Sequence, residues 1–338
     1  MSLLVIGALT LGIAWVLTGW VRRYALRRGL LDLPNPRSSH GRPVPRGGGL
    51  AIVIVTLTGI ALAAWAGYVP ARTAVALVGG GGAVALIGWL DDRRGLPPTV
   101  RAAVQVCAAA WALAWLGGFP HLRWGGTVLQ LGPMGWGLAT IGIVWGINFY
   151  NFMDGIDGLA AGEAATVSAA VILLLGGTRH DILVPVVLVG GASAGFLLWN
   201  WPPARIFLGD VGSAFLGYLF AVLAVISENS GALTVVGWLL LLGVFFVDAT
   251  LTVARRIAKG EPWYRAHRSH AYQRAVQAGF SHRAVTLAVL GLNLVLAGLT
   301  WVGVTYPARM PAMIGLGGIL LLAVYLLVER RKPMYPSQ

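Results

Sequence analysis

The chain has 338 residues, of which 57% are hydrophobic and 11% charged, with a formal net charge of +13 and a mean hydropathy of +0.75. A soluble domain of this size has no means of hiding so much apolar surface, which places the chain in a membrane. In that setting the positive balance does not indicate nucleic acid. It indicates a basic face beside anionic headgroups, and an anionic substrate fits it as well.

Spans of roughly 17–25 apolar residues are predicted at 2–20, 47–68, 73–90, 100–117, 134–150, 159–176, 182–199, 212–227, 232–252, 284–303 and 310–328. That makes an all-α polytopic protein of about eleven transmembrane helices in one domain, 1–338, without a visible internal repeat. The first run lacks a basic segment before it and a small-residue cleavage pattern after it, so it reads as a retained span rather than a signal peptide. The single cysteine, Cys107, lies inside an apolar run and reads as a small core residue.

Numbering the connections alternately puts 21 of the 25 Lys and Arg residues on one side, at 22–46, 91–101, Arg205, 255–283 and 330–332. The other side carries Arg72, Arg123, Arg179 and Arg309. The rich side is cytoplasmic by the positive-inside rule, which places the N-terminus outside and the C-terminus inside.

Five of the twelve acidic residues fall on three connections of that same side. Asp91 and Asp92 follow the third span, Asp154 and Asp157 the fifth, and Asp210 precedes the eighth. A carboxylate in a bilayer costs about 2.5–3.5 kcal/mol at a helix centre on insertion scales, so their concentration at span ends asks for a purpose. Clustered hard oxygen ligands suit Mg²⁺, which keeps several waters and takes one or two carboxylates plus substrate phosphates; Mn²⁺ is a possible substitute. In FLGDVGS, Gly209 and Gly212 flank Asp210 and Ser213 opens a span; DGIDGL runs into the sixth span in the same way. Helix entrances of this kind favour anions.

Two basic stretches complete the set. RSSHGRPVPRGGG, residues 37–49, carries Arg37, His40, Arg42 and Arg46 before a triple glycine that lets backbone approach a ligand closely. EPWYRAHRSHAYQR, residues 261–274, carries Arg265, His267, Arg268, His270 and Arg274. Arginine suits phosphate through its planar donor fork. His267 and His270 lack the Cys or third His of a zinc site, and phosphate contact or proton transfer suits them better. The residues by themselves therefore describe a cytoplasm-facing site for Mg²⁺ and phosphates, assembled from loops 22–46, 91–99, 151–158, 200–211 and 253–283. A secondary transporter is the rival of another class; it would concentrate ionisable groups near the midplane in related halves, and neither feature is visible.

The ordered set PNPRSSHGRPVPRGGG, GWLDDRRGLPPTVR, NFYNFMDGIDGLAAG, FLGDVGS and HRSHAYQRAVQAGFSHRA resembles the polyprenyl-phosphate N-acetylhexosamine-1-phosphate transferase superfamily, glycosyltransferase family 4 in older naming. The resemblance implies attack of undecaprenyl (polyprenyl) phosphate on the β-phosphate of a UDP-N-acetylhexosamine, with release of UMP, at the bacterial cytoplasmic (inner) membrane. It implies that Asp91 and Asp92 handle the prenyl phosphate. Asn148, Asn151, Asp154 and Asp157 would shape the nucleotide site, Asp210 would bind Mg²⁺ (with Asp154 beside it), and Phe207 would pack on uracil. Asp91, Asp92, Asp154, Asp157, His267 and His270 are the expected catalytic set. Asn148, Asn151, Phe207, Gly209, Ser213, Arg42, Arg46 and Arg268 are the expected substrate contacts. The last loop, HRSHAYQR, departs from the patterns of the pentapeptide and GlcNAc-1-phosphate enzymes. It is closest to O-antigen-initiating members, which favours a UDP-N-acetyl-6-deoxyhexosamine of the FucNAc or QuiNAc type, with UDP-GlcNAc as the alternative. A homodimer is compatible with this reading.

Overall fold

The computed structural model describes residues 2–33, 42–176, 181–262 and 267–335. The expected basic-loop residues Arg37, His40 and Arg265, and Arg179 of the sparse side, lie outside them. The helices in chain order are α1 (Leu3–Arg28), α2 (Gly49–Trp65), α3 (Ala71–Arg94), α4 (Pro98–Leu116), α5 (Met134–Phe152), α6 (Leu159–Leu175), α7 (Leu183–Asn200) and α8 (Asp210–Ser230). They continue with α9 (Val235–Leu241), α10 (Gly243–Ala258), the short α11 (Ala271–Gln277), α12 (His282–Thr305) and α13 (Met310–Arg331). Two antiparallel ribbons join them: β1 (Leu31–Asp32) pairs with β2 (Val44–Pro45), and β3 (His121–Trp124) with β4 (Thr127–Gln130).

Local chemistry sets several helix starts. Ser2, Thr234 and Ser281 cap α1, α9 and α12 by accepting the N–H of Val5, Gly237 and Ala284, and Pro98 occupies the first turn of α4, where its missing N–H costs nothing. The centre of the bundle is α8, whose apolar surface runs all round and is almost wholly buried against α2, α3 and α5.

A helix lies within each of the eleven predicted spans. Among the described residues, seven helices are long and apolar enough to cross a membrane, or eight if one bent pair counts as a single span; α2 and α6 are apolar but shorter. The 232–252 prediction is corrected: α9 and α10 meet at an 84° bend, and the chain turns at Leu242, just before Gly243. Other boundaries move in a direction that matters for chemistry. Helix α3 runs to Arg94, so Asp91 and Asp92 stand on its last turn rather than in a loop, and α8 begins at Asp210 itself. Likewise α1 reaches Arg28 and α10 reaches Ala258, which makes the loops predicted at 22–46 and 253–283 partly helical. Hydropathy windows stop at the first charges, whereas a helix continues for as long as its backbone bonds are satisfied. Cys107 is exposed rather than buried, because α4 lies at the edge of the bundle with little of its surface covered.

The triple glycine also needs revision. A Cβ on Gly48 would lie 2.5 Å from the Phe196 ring and one on Gly49 2.4 Å from the Gly212 Cα. Gly49 lets the start of α2 pack on the start of α8 and Gly48 lets it pack on Phe196 of α7, so the close approach is protein to protein. Gly48 and Gly49 donate their N–H groups to the carbonyls of Phe207 and Leu208, and Phe207 donates to the carbonyl of Pro45. The segment carrying Arg46, between β2 and α2, is thereby fixed against the residues that lead into α8.

Candidate functional site

Four chain ends meet at one end of the bundle: the last turn of α3, the end of α5 with the 151–158 loop, the first turn of α8, and the segment that leads into α2. Asp92 is the hub. Its two carboxylate oxygens accept the N–H groups of Asp210 and Val211, at 2.9 and 3.1 Å, so the anion seated at the N-terminus of α8 is a side chain of α3. Gly209 makes room for it. Its φ is +77° and a Cβ there would lie 2.6 Å from Asp92 Oδ2, so only glycine fits both the turn and the carboxylate.

The Arg46 guanidinium bridges the hub, 2.6 Å from Asp92 Oδ1 and 3.5 Å from Asp210 Oδ2. Asn151, at the end of α5, donates from its amide nitrogen to Asp210 Oδ1 and to Ser213 Oγ, at 2.9 and 2.8 Å. Arg46, Asp92, Asn151, Asp210 and Ser213 thus form one connected constellation drawn from four segments. On the far side of the Arg46–Asp92 pair lies a cavity of about 570 Å³ with apolar walls that include Tyr24, Leu50 and Trp89.

Asp91 divides its contacts between the site and the turn that follows α3. It accepts the Leu96 N–H and pairs with Arg101 at 2.7 Å, which closes the turn between α3 and α4. Asn148 donates to Gln105 Oε1 at 2.7 Å and ties α5 to α4. The Asp91 side chain also hydrogen-bonds with that of Asp210 and so touches the Arg46 constellation.

The 151–158 loop carries the other two aspartates. Asp154 is half-buried; burial first, and then the carboxylates of Asp210 and Asp92, hold its carboxyl well above the usual carboxylate range, with Arg46 opposing. Asp157 works as a latch. It accepts the Ala204 N–H at 3.0 Å and lies 3.4 Å from His282 Nδ1, while its carbonyl accepts from Thr286 at 2.9 Å. Asn200 completes the latch by accepting the Gly158 N–H and donating to the Ile206 carbonyl, each at 2.9 Å.

His270 is buried at the start of α11, 3.5 Å from Asp248 Oδ1, with Phe152, Tyr272 and His267 around its ring. Asp248 accepts the N–H groups of Ala271 and Tyr272 at 2.8 and 3.0 Å, and Tyr272 donates to the Phe152 carbonyl at 3.0 Å. The histidine element therefore packs against the 151–158 loop. Burial, then neighbouring His270 and Arg256, depresses the His267 ring to about 3, so it is neutral at physiological pH and able to accept a hydrogen bond. Arg42 donates toward the Ala204 carbonyl at 3.4 Å and the Arg268 carbonyl accepts from Gln277. Phe207 is half-buried beside the segment that carries Arg46.

Sequence reasoning missed Asn200, Gln105, Arg101, His282 and Asp248. Asp248 had a signal: it is an acid inside a predicted span, and such residues need a partner. The others are ordinary polar residues whose partners are remote in sequence.

Among the described residues no group of three or more His, Cys, Asp and Glu side chains takes a metal-holding arrangement. Mg²⁺ does not require one, since phosphates and water complete its octahedron around one or two carboxylates. The donor set fits it. Asp92, Asp154 and Asp210 act on one another electrostatically with Arg46 opposing, a local excess of negative charge that a divalent ion would neutralise.

Residues 74–228 match the family described as glycosyl transferase family 4. The chain is 32% identical to the decaprenyl-phosphate N-acetylglucosaminephosphotransferase of Mycolicibacterium smegmatis (strain ATCC 700084 / mc(2)155), over 98% of this chain and 90% of that protein. It is 31% identical to the probable undecaprenyl-phosphate N-acetylglucosaminyl 1-phosphate transferase of Bacillus subtilis (strain 168), over 81% of this chain and 77% of that one. A phospho-N-acetylmuramoyl-pentapeptide-transferase of Trichormus variabilis (strain ATCC 29413 / PCC 7937) is 33% identical over 63% of this chain and 60% of its own length.

Proposed function

The chain belongs to the polyprenyl-phosphate N-acetylhexosamine-1-phosphate transferase superfamily, and from that premise we propose that it transfers N-acetylglucosamine-1-phosphate from UDP-GlcNAc to a polyprenyl phosphate, releasing UMP. The observation that carries the choice of sugar is the alignment, over nearly the whole chain, with a relative named for decaprenyl phosphate and N-acetylglucosamine. That likeness displaces the 6-deoxy sugar expected from HRSHAYQR, which rested on one loop. The 21-to-4 division of Lys and Arg supports an inner-membrane protein with its site on the cytoplasmic face.

The geometry supports the following roles. Asp210 and Asp154 would hold Mg²⁺ together with the diphosphate. The ion, when bound, supplies neutralisation of charge on the phosphate oxygens and so favours in-line displacement. Asn151 and Asp92 orient the turn that carries Asp210. Arg46 presents a cation between Asp92 and Asp210, where a phosphate would share it. Asp91, in the next position of the chain, closes the turn after α3 with Arg101. The cavity beside Arg46 combines apolar walls with a charged floor, which suits a lipid with a phosphate head. Phe207 adjoins β2, Arg42 the Ala204 carbonyl and His270 the end of α5; contact of these residues, Arg268 and His267 with the nucleotide-sugar is proposed.

Purified protein with undecaprenyl phosphate, Mg²⁺ and a panel of UDP-sugars, followed by UMP release, tests this reading. UDP-GlcNAc is expected to be the fastest substrate. UDP-MurNAc-pentapeptide is expected to run about a hundredfold slower or worse, because discrimination beyond that of a single methyl or hydroxyl needs a feature such as its bulky peptide. Faster turnover of the pentapeptide or of a 6-deoxy sugar would overturn the choice of GlcNAc.

A metal prediction follows from Asp154. Its proton affinity in the folded protein exceeds that of the unfolded chain, so without metal its contribution to stability is present at low pH and lost as pH rises through the folded-state value. A cation that replaces the proton reverses the loss. Mg²⁺ is therefore expected to raise the melting temperature in detergent more at about pH 8.5 than at about pH 6. An equal rise at both values, or none, would remove Asp154 from the metal site.

A further inference from the structure

Glu163 stands on α6 with no exposed surface, inside an apolar span, and is bonded to Asn293 of α12. The Asn293 amide nitrogen donates to Glu163 Oε2 at 2.6 Å and to Thr166 Oγ1 at 3.1 Å. The other oxygen of each side chain, Glu163 Oε1 and Asn293 Oδ1, is buried without a hydrogen-bond partner. Two orphaned acceptors on side chains that already touch are satisfied together by one proton shared between them. A carboxylic acid and a primary amide satisfy each other at two points: the amide N–H donates to one acid oxygen and the acid O–H donates to the amide oxygen. Exchanging the amide N and O leaves the requirement unchanged, since an oxygen then faces Oε2 at the 2.6 Å contact and a proton must lie between them. A charged carboxylate here would be expensive, with no Lys or Arg paired to it among the described residues.

We propose that Glu163 is held as a neutral carboxylic acid in a two-point pair with Asn293, and that this pair fixes α6 against α12 and so positions the 151–158 loop. The link to the site runs along α12. Thr286, seven residues before Asn293 and on the same stripe of the helix, donates to the Asp157 carbonyl, and His282 lies beside the Asp157 carboxylate. Between them, a Cβ on Gly162 would lie 3.1 Å from Leu290, so α6 and α12 are in close contact over this stretch. The first residues of α6 continue directly from the loop that holds Asp154 and Asp157. A slip of α6 along α12 carries that loop with it. Glu163 acts as a positioning residue. Its importance for turnover rests on the reaction proposed above; its protonation state does not.

Infrared spectra of wild type and Glu163→Gln, with glutamate labelled in its carboxyl carbon, test the proton directly at neutral pH. A protonated-acid carbonyl band present in wild type and missing from the variant is expected. Glu163→Gln preserves the shape and a two-point amide pair, so its UMP release and melting temperature are expected to stay within about twofold and a few degrees of wild type. Glu163→Ala is expected to slow UMP release about tenfold to a hundredfold, the scale of a misplaced catalytic loop, and to melt lower. A difference spectrum with only carboxylate bands would overturn the proposal, as would a Gln variant as impaired as Ala. The infrared result stands whether or not the Ala variant folds. It is also independent of which sugar nucleotide is turned over, so failure of the substrate assignment is distinguishable from failure of this one.

Discussion

Replacement of Asp210 by asparagine is expected to lower UMP release about a thousandfold while leaving a folded protein in the membrane. The fold is expected to survive because the contacts of Asp210 divide by atom. Its Oδ1 accepts from Asn151 and its backbone N–H caps onto Asp92; an asparagine oxygen and the same backbone preserve both. What disappears is the charge on Oδ2, the atom 3.5 Å from Arg46, on which the proposed metal and diphosphate depend. Removing one preorganised electrostatic contact to a developing charge typically costs 10²–10³ in rate, and loss of a Lewis-acid ligand adds to it. The melting temperature without metal is expected to stay within a few degrees of wild type, while the rise produced by Mg²⁺ shrinks or vanishes. Near-normal turnover at ordinary Mg²⁺, or an undiminished thermal response to the ion, would take Asp210 out of the metal role.

That division of labour within one residue was only half legible in the sequence. Gly-Asp at a helix entrance announces a charged site, because glycine and a carboxylate at a span boundary have little reason to be there otherwise. The sequence also brings Arg46, Asp92 and Asp210 into view as separate local features. It does not reveal that Asp92 occupies the N-terminus of α8, 118 residues away, since a backbone donor has no residue type to recognise. The glycines at 48 and 49 show the same limit. Their permissiveness is local and visible, but whether the close approach is to a ligand or to Gly212 depends on which helix packs there. Span counting is less decisive for a related reason. Apolar runs register burial in lipid or protein equally, so a bent pair such as α9 and α10 and a short helix such as α6 look like ordinary spans. Cys107 was misplaced because an apolar run does not say which of its faces meets the bundle.

Arg46 carries the second large effect, and its loss is expected to damage stability as well as rate. The carboxylate of Asp92 is 7% exposed and Arg46 is 35% exposed. Taking one partner from a fully buried pair costs about 3–5 kcal/mol; with Arg46 partly in solvent, roughly half that range is expected for Arg46→Gln. The loss is tempered because Asp92 retains the N–H groups of Asp210 and Val211. Turnover is expected to fall about a hundredfold or more, since the cation that a phosphate would share is gone. Arg46→Lys keeps a charge without the planar fork, and is expected to recover most of the stability but less of the rate. The pairing itself is separated from the chemistry by a double-mutant cycle. Adding Asp92→Asn to Arg46→Gln removes the stranded charge and is expected to restore melting temperature toward that of Asp92→Asn alone, with no recovery of UMP release. Strictly additive losses in stability would mean that the 2.6 Å contact contributes nothing in the folded protein. A fully active Arg46→Gln would place the phosphate-binding cation elsewhere in the site.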